Sequence, residues 1–460
     1  MDEPVLLGNN LATLVAAQAL ACRGQRATVL SEGRPLGGHF AGLQLAEHDF
    51  DLGMVFLERP AHPAPSRDAT DYQPGRRNDC ARFSGLVADF IEGFAATRRV
   101  TTPQVLIDGR RHADYLIANR LDAFLGCTLP GPVQAAAAGR THALHAAHKI
   151  DGADYDTLSY ADAGAHNHGA ALHAHYFERF GHKMADLPGS ALLARFHRAA
   201  WLPLYYPETL LQAVAGHTAA LPEYPFWLPE AGWTGSWVQA LRRALAASPH
   251  VRLRADPVAA VRRTDRGFSV ELDGGEVLAT GRLFLGTTSE RAHALLGLPT
   301  PAPPVAASVQ LLLGLARQDA IGATPSCLMV VDPALQSYRL SDLDAGRDAP
   351  WHRVVVEANA DRLARHAAAT GRAADELLAD EARILLDAAD PQALRVLKSI
   401  VARQSVALPT LAGRRAAMDN LADVHDAARG IGLSGQLLAL GAASMNDQIV
   451  QGLKQAEEWA

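Results

Sequence analysis

The chain has 460 residues, 48% of them hydrophobic and 20% charged, with a formal net charge of −6. That length exceeds one compact core and predicts two closely connected domains of ordinary globular composition. The mild acidity gives no basic footprint for nucleic acid or anionic lipid, and no apolar run reaches the roughly 20 residues of a bilayer span. Four scattered cysteines without a CxxC pair argue against a disulfide framework or a zinc-thiolate site. The opening MDEP runs straight into a strand-like segment, without a basic and then apolar leader, so a cytoplasmic protein is expected.

In chain order, PVLLG (4–8) is a short apolar strand ending in glycine. LATLVAAQALACRG (11–24) has helical spacing and stops at Gly24, and RATVLSE (26–32) is again strand-like. This β-turn-α-β unit of about 30 residues has the size of a mononucleotide-binding motif. Residues 60–80, rich in Pro, Asp and Arg, read as a surface connection, and 83–200 lean helical. A turn and amphipathic helix are expected over 226–248. Successive strands follow over 251–289, with a hairpin at the DGGE of 273–276. Further strands are expected at VAASVQLLLGL (305–315), SCLMVVD (326–332) and WHRVVVEAN (351–359), then a helix over 361–390. The end of the chain gives a short strand, a glycine-punctuated loop and a closing helix. Strand and helix alternate at both ends around a different middle, which predicts a nucleotide domain assembled from separated pieces.

In such a unit the first glycine allows the tight turn, the second lets the backbone approach a pyrophosphate, and the third lets helix and strand pack. Gly8 keeps the first role, Asn10 takes the second, and Thr13 or Ala12 the third. The backbone at Asn10 and Leu11 still offers N–H groups at a positive helix end. Asparagine tolerates positive φ better than other side chains, and Asn9 and Asn10 add donors of their own. Ser31 and Glu32 stand where the second strand would meet ribose hydroxyls, although a Ser-Glu pair also ends ordinary strands.

ATVLSEGRPLGGHF followed by EHDFDLG resembles the amine oxidase, protoporphyrinogen oxidase and UDP-galactopyranose mutase superfamily of flavoproteins. There a ribose strand leads into an R-x-GG turn and a D-x-G segment, carried here by Arg34, Gly37, Gly38, Asp51 and Gly53. FWLPEAGWTGSWVQALRRAL looks like the family's turn and helix at Pro229, Gly232 and Leu241. VRLRADPVAAVRRTDRGFSVEL resembles its adenine-side strand, with Val258 as the matching residue, and LATGRLFLGTTSE the strand after it. GLSGQLLALGAASMNDQIVQGLKQAEE resembles the C-terminal flavin segment, with Gly435 in a turn and Ser444, Met445, Asn446 and Asp447 opening the last helix. Gln436 departs from the acidic residue usual beside the flavin. The resemblance implies FAD bound by Gly8, Asn10, Leu11, Ser31, Glu32, Arg34, Gly37, Gly38, Val258, Gly435, Gln436, Met445 and Asn446. It implies a doubly wound, Rossmann-like α/β FAD-binding domain (1–60, 206–298 and 401–460) with an inserted mixed α+β substrate domain (61–205, mostly helical, and 299–400).

The stretch from His142 to His182 holds eight of the nineteen histidines. Within it HNHGAALHAH has metal-like spacings, but no carboxylate or cysteine completes a first shell, so no metal site is expected. Tyr205 and Tyr206 form an aromatic cluster with Trp201 that walls either a substrate pocket or a domain interface. Tyr338 and Arg339 look like a polar pair delivered into a cleft or onto an exposed edge. These four are the candidate catalytic residues. The expected activity is FAD-dependent oxidation of a C–N or C–C bond in a small molecule. One alternative is a non-redox sugar-nucleotide isomerase of the mutase kind, although His39 is only a partial match to that branch. The other is a flavin-free binding or scaffold protein, suggested by Asn10, Thr13 and Gln436. A homodimer or a protein partner is left open.

Overall fold

The computed structural model describes residues 3–58, 68–73, 83–101, 103–113, 156–167, 169–170, 173–199, 226–438 and 443–460. The opening residues behave as their pattern predicts. β1 (Val5–Gly8) leads into α1 (Leu11–Cys22), which returns to β2 (Ala27–Leu30). These strands are short and apolar because they are buried on both faces, as parallel strands are. Three later segments complete the sheet: β3 (Val251–Arg254), β4 (Leu283–Gly286) and β5 (Gly432–Leu433). The order is β3-β2-β1-β4-β5, all parallel.

Side-chain alternation sorts this sheet's two faces. Leu6, Ala27, Val29 and Phe284 pack on one side against α1, α2 (Gly235–Ala247) and α3 (Met445–Glu458). Val5, Leu7, Leu30, Leu283 and Leu285 pack on the other side against an antiparallel meander of Val258–Thr264, Gly267–Leu272 and Val277–Thr280. A doubly wound sheet carries helices on both faces; here the second face's cluster joins that meander to residues of the helices Ser289–Leu296 and Arg414–Ala427, and the meander's hairpin at 273–276 lies where the sequence puts it.

A second, mixed sheet of seven strands runs Leu394–Ala407, Ala306–Arg317, Trp351–Asn359, Ser337–Asp342, Cys327–Val330, Gln104–Ile107 and Arg110–Ala113. One face packs on Ala360–Thr370 and Ala374–Leu385. The other packs on aromatic residues of 160–196 together with Phe50, Met54 and Trp233. The helix expected over 361–390 is two helices, interrupted where Gly371 takes a left-handed φ of 67°. The boundary expected at 400 falls inside the strand Leu394–Ala407, which pairs along Ala306–Arg317.

Candidate functional site

β1 connects through α1 to β2 on one side, while β4 joins it on the other. The strand order therefore switches between β1 and β4, which in open α/β sheets is where a ligand crevice opens beyond the carboxyl ends of the strands. Gly8 sits at that point with φ of 131°, and a Cβ on it would lie 2.2 Å from the Gly286 carbonyl oxygen, so only glycine serves. Asn10 follows with φ of −71° and ψ of 169°, ordinary extended backbone that needs no glycine-like freedom.

Side chains converge on the tip of α1. Asn10 Oδ1 accepts from the Thr13 N–H at 3.1 Å and from Thr13 Oγ1 at 2.9 Å, while Asn10 Nδ2 donates to Ser434 Oγ at 3.0 Å. Ser434 Oγ in turn donates to the Leu285 carbonyl at 3.2 Å. One carboxamide thus spans from α1 to the end of β5. The walls are close on every side: a Cβ on Gly286 would meet Thr13 Oγ1 at 2.1 Å and Asn10 Oδ1 at 2.4 Å, and a Cβ on Gly435 would meet Asn10 Nδ2 at 3.0 Å.

From the facing helix, Gln448 Oε1 accepts from the Leu11 N–H at 3.0 Å and Gln451 Oε1 accepts from the Gly435 N–H at 2.8 Å. The N-terminus of α3 is itself capped: Ser444 Oγ accepts from the Asp447 N–H at 3.1 Å and donates to Asp447 Oδ2 at 2.6 Å. Asp447 Oδ1 accepts from the Tyr72 hydroxyl at 2.9 Å, which places a buried carboxylate in that helix's first turn. Met445 and Asn446 are buried beside it, whereas Gln436 is exposed.

At the end of β2, Glu32 forms an ion pair with Arg291, with Arg291 Nε at 3.1 and 3.3 Å from its two oxygens. Arg291 Nη2 also donates to the Val258 carbonyl at 2.6 Å, and the Val258 N–H lies 3.4 Å from Glu32 Oε1. The ion pair and this backbone contact engage both oxygens of the carboxylate expected to meet a ribose. Ser31 Oγ donates to the Arg254 carbonyl at 3.3 Å, and Arg34 is exposed.

Gly37 and Gly38 form a left-handed turn with φ of 95° and 57°. The Gly37 N–H donates to the Asn9 carbonyl at 2.8 Å, and a Cβ on Gly37 would lie 2.5 Å from Val238 of α2. His39, next along, is exposed, and partial desolvation lowers its pKa. The buried Asp51 carboxylate accepts from the Thr234 N–H at 2.8 and 3.0 Å and from the Gly235 N–H at 3.3 Å, capping α2. Burial raises Asp51 to about 6 against the lowering effect of those bonds.

Tyr338 and Arg339 are both buried and both bond Glu357: the hydroxyl donates to Oε2 at 3.0 Å, and the guanidinium grips both oxygens at 2.6 and 2.7 Å. Neighbours on a strand normally point to opposite faces; the register shift between Ser337 and Arg339 lets both reach one carboxylate. Gly53 packs on this pair, its Cβ position 3.6 Å from Glu357 Oε2. Tyr338 and Arg339 are thus joined through Glu357 inside the protein. Tyr205 and Tyr206 lie outside the described residues, as do His142, His145, His148 and His168 of the histidine-rich stretch. Within that stretch His173 is a buried core residue, 3.1 Å from Glu178 and in edge contact with Tyr160. No three His, Cys, Asp or Glu side chains among the described residues are placed to hold a metal ion.

Solved structures of proteins of the kinds that the sequence motifs resemble share this fold. Over its whole length the chain superposes on a reduced UDP-galactopyranose mutase with a TM-score of 0.67 at 13% identity, covering 95% of that protein. The TM-score is 0.63 at 14% identity for a candidate protoporphyrinogen oxidase from Exiguobacterium sp. 255-15, covering 98% of it and 100% of this chain. Putrescine oxidase bound to putrescine gives 0.58 at 14%, with 100% of this chain and 98% of that one covered. No protein-family model matches the sequence, and no curated protein matches it either. At such identities the likeness is one of fold.

The residues present do not fit the dinucleotide that this fold implies. A diphosphate seated at the tip of α1 takes its charge compensation from free N–H groups there. Here the Leu11 and Thr13 N–H groups are engaged by Gln448 and Asn10, the Gly435 N–H is engaged by Gln451, and Glu32 is neutralised by Arg291. Gln448, Gln451, Arg291, Ser434 and Tyr72 escaped the sequence reading. The available signal was the pair of glutamines three residues apart in NDQIVQ, one helical turn on the face that meets α1.

Proposed function

We propose that this chain is a flavin-independent binding or scaffold protein built on the amine oxidase-like fold. The observation that carries the reading is the carboxamide bridge across the ligand crevice: Asn10 joins α1 to Ser434 while Gln448 occupies the Leu11 N–H. The absorbance spectrum of the purified protein, followed by titration with FAD, tests it. We expect no flavin bands, no quenching of added flavin fluorescence, and no rise in thermal midpoint with FAD in large excess, since a ligand that binds only the folded state must stabilise it. A yellow protein as isolated, or one that takes up FAD stoichiometrically, overturns it.

A second reading, FAD-dependent oxidation of a C–N or C–C bond in a small molecule, is supported by full-length likeness to oxidase structures and by the retained Gly8 and Gly37–Gly38 turns. It requires Asn10 and Gln448 to leave their partners. Flavin bands bleached anaerobically by a substrate mixture would support it. Bands that persist, with protection by a sugar nucleotide, would support the isomerase variant instead.

A further inference from the structure

Three backbone N–H groups converge where the strand order switches, and each is met by a side-chain carboxamide oxygen: Leu11 by Gln448, Thr13 by Asn10 and Gly435 by Gln451, at 3.0, 3.1 and 2.8 Å. Each carboxamide is held at its other end as well. Gln448 Nε2 donates to the Ala443 carbonyl at 2.8 Å, Asn10 Nδ2 to Ser434 Oγ at 3.0 Å, and Gln451 Nε2 to the Tyr72 hydroxyl at 3.0 Å. The Tyr72 hydroxyl passes the chain on to Asp447. Gln448 and Gln451 are 5% exposed and Asp447 is 2% exposed, so a lost bond here leaves a buried polar group without its partner.

Resting on the flavin-independent reading, we infer that these three carboxamides are an internal replacement for a ligand's oxygens. Asn10, Gln448 and Gln451 satisfy from within the donors that a dinucleotide diphosphate would satisfy from without, and they are the residues that keep such a ligand out. A neutral carboxamide offers the acceptor without a charge that needs compensating. An entering diphosphate would have to displace these acceptors to reach the N–H groups beneath them. The seat beneath the carboxamides keeps the backbone geometry of a dinucleotide site: Gly8 in its tight turn and the N-terminus of a twelve-residue helix.

The test is to remove the plug and look for the ligand. N10G/Q448A and wild type are titrated with FAD, ADP and inorganic pyrophosphate, read by flavin fluorescence quenching and by thermal midpoint. We expect the double variant to melt below wild type without ligand, to regain midpoint with FAD or ADP, and to bind FAD about tenfold or more tighter than wild type. A double variant with wild-type circular dichroism that gains neither affinity nor midpoint overturns the inference. Wild type that takes up FAD stoichiometrically overturns the flavin-independent reading instead, so the two failures are distinguishable. If N10G/Q448A does not accumulate folded, Q448A alone keeps the question open to decision, because it deletes one acceptor. Its lowered midpoint is restored by ADP or pyrophosphate if the inference holds and is unmoved by both if it fails.

Discussion

Glu357 holds two neighbours at once, and the cost of losing it follows from what stays behind. Deleting the carboxylate leaves the Arg339 guanidinium buried without a counter-charge and the Tyr338 hydroxyl without its acceptor. Glu357→Ala is expected to lower stability by about 3–5 kcal/mol. The paired replacement R339M/E357L should recover much of that, and urea unfolding followed by tryptophan fluorescence measures both. Asp51 and His39 make opposite demands on acidity. Asp51, raised from 3.8 to about 6, binds a proton more readily when folded, so its contribution is fully present below 3.8 and is lost as pH rises through 6. His39, lowered from 6.5, binds a proton more readily when unfolded, so stability is present above 6.5 and is lost as pH falls below it. Relative to wild type, D51N should therefore make the denaturation midpoint fall more steeply from pH 6 to 4, and H39Q should make it fall less or rise. Parallel urea titrations across that range check the sign. At this scale the glycine turns were legible, because Gly8 and Gly37 answer backbone demands that a local pattern displays. The roles of Tyr338 and Arg339 were not, since the strand irregularity that turns both toward Glu357 depends on a partner strand remote in sequence.

Helices α1 and α3 cross with almost no separation at Gly452, where a Cβ would lie 2.5 Å from the Ala12 carbonyl oxygen and 2.8 Å from Val15 Cβ. G452A is expected to push the helices apart and to cost about 1–3 kcal/mol, read as a drop in thermal midpoint. It should also loosen the Gln448 contact with the Leu11 N–H carried across the same crossing. Among the elements, the parallel strands and the 258–280 meander were readable from apolar runs and turn residues. Strand Leu394–Ala407 was not: it lies at a sheet edge, most of its residues are exposed or half-buried, and LRVLKSIVARQSVA shows no clean alternation. The break at Gly371 was hidden because Ala-rich sequence on both sides satisfies a helical pattern.

For the whole molecule, fold and cofactor use have separable requirements. The fold asks for apolar strands, a glycine at the first turn and close helix packing, all of which are local and written in the sequence. Whether a dinucleotide enters depends on which side chains reach the tip of α1, and one of those, Gln448, lies 437 positions from the Leu11 N–H that it engages. The motif order therefore led correctly to the architecture. The occupants of the crevice could be assigned only once α3 was placed against α1.

The carboxamide bridge also bears on how the polypeptide comes to maturity. A chain that leaves polar groups waiting for a vitamin-derived prosthetic group reaches full strength only after loading, and its yield tracks that supply. On the flavin-independent reading, dilution from denaturant should return the same fraction of compact, protease-resistant protein with or without added riboflavin derivatives, and cellular abundance should be indifferent to riboflavin starvation.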